Sequence, residues 1–118
     1  MVTLTVLTHM AREADKNGAI VRFVDVSPES LAQLREACGQ KFLIRPLAEA
    51  ERTENDIHLK NTKREGVVIQ VELKEVLGDR ATAYGSYIGP TSGVGIRYSL
   101  RRVNGDWQIV STEFISAT

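Results

Sequence analysis

The clearest pattern of apolar and polar positions lies in the second half of the chain. Ile69, Val71 and Leu73 alternate with Gln70, Glu72 and Lys74, the two-residue period of a half-buried strand. Gly78-Asp79 suits a two-residue hairpin loop with glycine first, and Arg80 to Ile88 forms the returning strand. A glycine-rich loop, Gly89 to Gly95, leads to a strand from Ile96 to Val103. Asn104-Gly105 is a strong turn signal, and Asp106 to Phe114 completes the second hairpin. Two-residue loops set Val103 opposite Asp106, Arg102 opposite Trp107, Leu100 opposite Ile109 and Tyr98 opposite Ser111. In the first hairpin they set Leu73 opposite Tyr84 and Ile69 opposite Ile88. Each hairpin then has one largely apolar face, as in a meander packed on helices. The same register puts Ala81, Ala83 and Gly85 on the face away from the core.

The first half mixes periods. Leu4, Leu7, Ala11 and Ala14 trace a helical stripe, although Val2, Leu4 and Val6 between threonines also suit a strand. Helix is the better reading over Thr3 to Lys16, because Met10 to Ala14 are good helix formers and Asn17-Gly18 is a stop. Ala19 to Val26 is rich in β-branched residues and predicts a strand. Ser27-Pro28-Glu29 supplies a cap, a first-position proline and an acid for the helix dipole. That helix runs to Ala37 or Cys38 with Leu31, Leu34 and Cys38 on one face, and Gly39 ends it. Lys41 to Arg45 predicts a short strand closed by Pro46. Beyond it, Ala48 to Arg52 suits a helical turn and Ile57 to Leu59 an edge strand. The expectation is a single α+β domain over residues 1–118: two short N-terminal helices on a curved, mostly antiparallel sheet that ends in a C-terminal meander.

Composition narrows the function classes. At 118 residues the chain can bury one core unaided. Fifteen basic residues balance fifteen acidic ones, so neither the basic excess of a nucleic-acid binder nor an electrostatic attraction to membranes is expected. Zero net charge removes the repulsion that keeps copies apart. A homo-oligomer, most simply a dimer, is therefore expected, and the small-residue stripe is the surface that would carry it. One cysteine rules out an internal disulfide framework. With no leader pattern and no apolar run of membrane length, a cytoplasmic location is expected.

Candidate chemistry is sparse. His9, His58 and Cys38 stand singly, without metal-ligand spacing, and no metal or cofactor is expected. Cys38 reads as a small core residue. The Gly89–Gly95 loop lacks the lysine and following helix of a phosphate loop, and reads as a hairpin connection. Glu113 would face Ile96 in the simple register, where burial raises a carboxyl pKa as acid–base work requires. A bulge near Ser111 to Glu113 would turn it outward and Phe114 inward, and the burial demand of Phe114 and Ile115 favours that reading. Asp56 and His58, two apart, form a candidate acid–base pair. Arg97, Ser99 and Arg101 form a stripe able to take an anionic ligand or partner, unless neighbouring acids such as Glu72 balance it. Tyr84, Tyr98 and Trp107 complete the candidate ligand-binding set.

The stretch Gly95 to Val110, with its strand, Asn104-Gly105 turn and Trp107-Gln108-Ile109 strand, resembles the closing hairpin of the cystatin-like and NTF2-like α+β families. The resemblance covers the last third of the chain. It implies a sheet curled around a pocket for a small organic molecule. The N-terminal half departs from the family, since a strand falls between two short helices where long helices are usual. Three functions follow in order: a non-catalytic binding or protein-interaction module that self-associates, a pocket isomerase or hydrolase acting on a small molecule, and an inhibitor or immunity-type protein.

Overall fold

A computed structural model of the chain describes residues 1–14, 18–90 and 92–117. Helix α1 spans Val2–Glu13 and helix α2 spans Pro28–Cys38. The strands are β1 (Val21–Val24), β2 (Ile44–Pro46), β3 (Ala50–Arg52), β4 (Ile57–Leu59), β5 (Gly66–Leu77), β6 (Arg80–Ile88), β7 (Gly93–Val103) and β8 (Asp106–Ala117). Six strands form one sheet in the order β2-β1-β5-β6-β7-β8, and β3 pairs with β4 alone. The β2-β1-β5 pairs are parallel and the rest antiparallel. The architecture is the expected α+β class with a C-terminal meander. Among the described residues, no helix is long and apolar enough to cross a membrane.

Local chemistry accounts for the elements. In α2 the Ser27 hydroxyl accepts from the Ser30 amide at 3.1 Å, Pro28 opens the first turn, and Gly39 ends the helix at φ 80° with its amide on the Arg35 carbonyl. In α1, Val2, Val6 and Met10 fall one turn apart and are buried, with Leu7 and Ala11 beside them. The threonine–valine alternation at its start suits a strand equally well, so packing decides. The end expected at Lys16 and Asn17 lies outside the described residues, as does Thr91. Between Pro46 and Thr53 the sequence expectation of a helical turn from Ala48 to Arg52 is wrong. A 3-10 turn covers only Leu47–Glu49, and Ala50–Arg52 is a strand held by β4.

The sheet is covered unequally. On one face α1 and α2 bury Leu34, Met10, Ile44, Ile69, Tyr98 and Leu100 in the main core. On the other, the β3–β4 excursion covers a second cluster of Val21, Phe23, Ile57 and Val68. Strand β1 lies under both layers, so all four of its residues are buried. Even Arg22 is fully buried: its Nε donates to the Ala11 carbonyl at 2.8 Å, and its guanidinium stacks on Phe42 at 4.5 Å.

Bulges reset the faces of the meander. Lys74 has no partner on β6, so Leu73 faces Ala83 and Ile69 faces Tyr87, not Tyr84 and Ile88. Ala81, Ala83 and Gly85 therefore face α1, which corrects the expected outward stripe. A methyl on Gly85 would sit 2.5 Å from Met10 Sδ and 2.8 Å from the Tyr98 ring. Small residues do admit a close neighbour here, but the neighbour is this chain's own first helix. In β8, Val110 and Ile115 lack partners on β7, so Tyr98 faces Thr112 instead of Ser111, and Arg97 faces Glu113.

Candidate functional site

The bulge at Val110 decides the position of Glu113. It lies one residue before the expected stretch and turns the carboxylate onto the open face of the sheet. There Arg97 Nη1 meets Glu113 Oε2 at 3.3 Å, and Nη2 donates to the Tyr84 hydroxyl at 3.2 Å. Lys74 lies 4.7 Å over the Tyr84 ring and pairs with Glu72 at 2.9 Å. Glu72 thus balances Lys74, while Glu113 balances Arg97. These are solvent-facing pairs, screened by water and salt, and contribute little to stability. Phe114 and Ile115 are not buried as expected: they are 64% and 43% exposed, because β8 is the edge strand and reaches the helix-side core only through residues such as Trp107 and Ile109.

Asp56 and His58 do come together. Asp56 Oδ1 is 2.8 Å from His58 Nδ1, and Glu51 Oε1 approaches Nε2 at 3.7 Å across the β3–β4 pair. Thr53 donates to the same Asp56 oxygen at 2.9 Å. The hydrogen bond from His58, then that from Thr53, lowers the Asp56 pKa below the usual carboxylate range. Asp56 takes the Nδ1 of His58 by a hydrogen bond, and Glu51 faces Nε2 at ion-pair distance, so His58 ties the excursion together.

The aromatic candidates separate by face. Tyr84 is on the open face with Arg97. Tyr98 is buried on the helix face, edge-on to His9 with ring centroids 5.8 Å apart, and desolvation pushes its phenol up to about 12. Trp107, also on the helix side, carries Arg102 at 5.4 Å, which is held by Asp79 at 3.2 Å. Tyr87 was not singled out by sequence reasoning: its hydroxyl donates to the Met10 carbonyl at 2.9 Å, and burial pushes its pKa up. The Ile69–Leu73 alternation, continued through the bulge, is the signal that places it inside. Cys38 is buried in the core and desolvation raises its thiol pKa. Among the described residues, no group of three or more His, Cys, Asp or Glu side chains is arranged to hold a metal ion.

The two ends of the sheet differ in chemistry. The β2 edge has three residues and ends at Pro46, and Arg35 caps its Ile44 carbonyl with two hydrogen bonds of 2.9 and 2.7 Å. The β8 edge has twelve residues without lysine, arginine or proline, and exposes Val110, Phe114 and Ile115. A groove of about 420 Å³ also opens where β1 stops beside β5, lined by Thr3, Leu7, Asp25, Gln70, Glu72 and Tyr84. Compared with protein-family models, curated proteins and solved structures, the chain shows no match.

Proposed function

We propose that the protein is a non-catalytic interaction module that self-associates by pairing the β8 edges of two copies. The contrast between the edges carries this reading. Proteins blunt exposed sheet edges with short strands, proline and positive charge, and β2 has the first two, with Arg35 on its carbonyl. Strand β8 is long and has neither proline nor positive charge; bulges at Val110 and Ile115 are its one edge device, and its exposed residues include three large apolar side chains. Antiparallel pairing about a two-fold axis would satisfy its free backbone groups and continue the sheet into the second copy. The dispersal of the polar candidates supports a role without catalysis. Glu113 and Tyr84 lie on the open face, Tyr98 on the helix face, and His58 between two acids of the excursion.

Sedimentation velocity over a concentration series tests the proposal. The wild-type chain is expected to sediment as a dimer, and Val110→Lys/Phe114→Lys, which adds edge charge without touching the core, as a monomer. A wild-type monomer at every soluble concentration, or a double variant that still dimerises, refutes it.

A further inference from the structure

We infer that Arg80 and Arg101, with the hydroxyls of Thr82 and Ser99, form a binding site for a phosphate monoester on the open face of the sheet. The site shares Val110 with the β8 edge, but its arginines and hydroxyls lie on β6 and β7 and do not depend on the pairing of β8. Arg80 and Arg101 are direct partners across the β6–β7 pair, which brings their Cβ atoms to about 4.5–5.5 Å. Two like charges so placed repel unless something lies between them. Arg97 in the same stripe is matched by Glu113 and Tyr84, and Arg102 by Asp79. Among the described residues the side chains of Arg80 and Arg101 make no hydrogen bond, ion pair or ring contact. Glu75, opposite Thr82, and Asp106, two residues from the Gln108 that faces Arg101, share this face but pair with neither arginine.

The next row of the sheet brings Thr82 opposite Ser99, and Ser99 opposite Ser111. Arg80, Thr82, Ser99 and Arg101 line one depression of about 300 Å³, with Val110 as its apolar wall. That volume is at the lower end for small-ligand sites. Two guanidinium forks present planar pairs of N–H donors, and the hydroxyls add single donors at another angle. A tetrahedral oxyanion accepts both kinds. Two adjacent guanidinium groups, neither in an ion pair, suit a dianion, which a phosphate monoester is above its second pKa of about 6. Val110, 60% exposed, offers contact to the ester group.

The test is an NMR titration of the full-length chain with inorganic phosphate and then phenyl phosphate, at an ionic strength held constant with sodium chloride. Saturable shifts of the Arg80 and Arg101 Nε–Hε signals and the Thr82 and Ser99 amides are expected. Phenyl phosphate should bind more tightly than inorganic phosphate, and equal affinity would overturn the ester assignment. Arg101→Gln and Arg80→Gln should each weaken binding about tenfold, from the loss of a charge-assisted pair. Glu75→Gln should strengthen it by removing a competing carboxylate. Both arginines are exposed, so neither variant disturbs the core. Each should melt no lower than the wild type, because the like-charge pair is gone. Shifts that never saturate, or unchanged affinity in both arginine variants, overturn the site.

Discussion

Replacing Gly85 with alanine tests the packing of α1 directly. The added methyl would meet Met10 Sδ at 2.5 Å, Tyr98 Cε2 at 2.8 Å and Met10 Cε at 3.0 Å. Favourable separations are about 3.5–4.0 Å, so the first contact is too close by roughly 1 Å. Met10 and Tyr98 are 0% and 1% exposed, and neither can escape into solvent. Such overpacking costs about 1–3 kcal/mol, against a gain of about 0.4–1 kcal/mol from a stiffer unfolded chain. A net loss of about 1–2 kcal/mol is expected, read as a lower urea midpoint at unchanged slope. Met10→Val removes Sδ and Cε, two of the three clashing atoms. In that background the cost of Gly85→Ala should fall by about 1 kcal/mol, a coupling typical of touching residues. Were Gly85 on an open face, the alanine would be neutral or stabilising in both backgrounds. That result would refute the placement of α1 on the small-residue track.

Other expectations follow from the site chemistry. His58→Ala removes the main hydrogen bond on Asp56, so the Asp56 carboxyl, followed by carbon-13 NMR, should rise towards its free value of about 3.9; an unmoved titration contradicts the pairing. Its lowered pKa means that Asp56 contributes stability above the unfolded value and loses it as pH falls through the folded one. Tyr98 has the opposite sign. Its neutral phenol is favoured by burial, so its contribution is full below the unfolded pKa of about 10 and is lost as pH rises through about 12. Tyr98→Phe should flatten the alkaline fall in stability in urea titrations, leaving a remainder from Tyr87, whose pKa burial also raises; an unchanged slope refutes the burial argument. Arg35→Ala uncovers the Ile44 carbonyl at the β2 edge and should promote concentration-dependent association in light scattering, and no change would show that the cap is dispensable.

Much of this fold was legible because local chemistry and packing agree. The cap at Ser27, the stop at Gly39, the turns at Gly78-Asp79 and Asn104-Gly105, and the alternation of Ile69, Val71 and Leu73 all act over a few residues. The faces of the meander were less legible, because parity carries along a strand and one unpaired residue inverts it. Signs of the inversion were present. Apolar spacing changes from two to three between Leu73 and Val76, across Lys74, and parity switches between Ile109 and Phe114, across Val110. Those switches place Gly85 under α1 and Glu113 on the open face. The Asp56–His58 pair was visible because extended residues two apart lie on one side of the chain, and Asp56 immediately precedes β4. The Arg80–Arg101 pair was hidden because its register passes through the Gly89–Gly95 connection, whose length does not fix pairing.

The mismatch between the helices and the strands explains why chemistry gathers where it does. Helix α1, with twelve residues, is about 18 Å long, while the eleven residues of β7 extend about 36 Å. One helix cannot cover such a strand, and the β3–β4 excursion covers only the β1 end of the opposite face. The distal ends of both hairpins are therefore bare on two sides, and there Leu73 and Val76 are each 46% exposed. A sheet built only to bury one core could end where α1 ends. The extra length instead holds the Arg80–Arg101 pair over Thr82 and Ser99 and carries β8 along a long exposed edge. Shortening both hairpins symmetrically by two residues a strand, with the turns kept, removes Arg80 together with the core-packed Ala81 and Trp107, and should lower stability while weakening phosphate binding by at least the roughly tenfold expected of Arg80→Gln. Retention of binding in such a chain would move the site away from the hairpin ends.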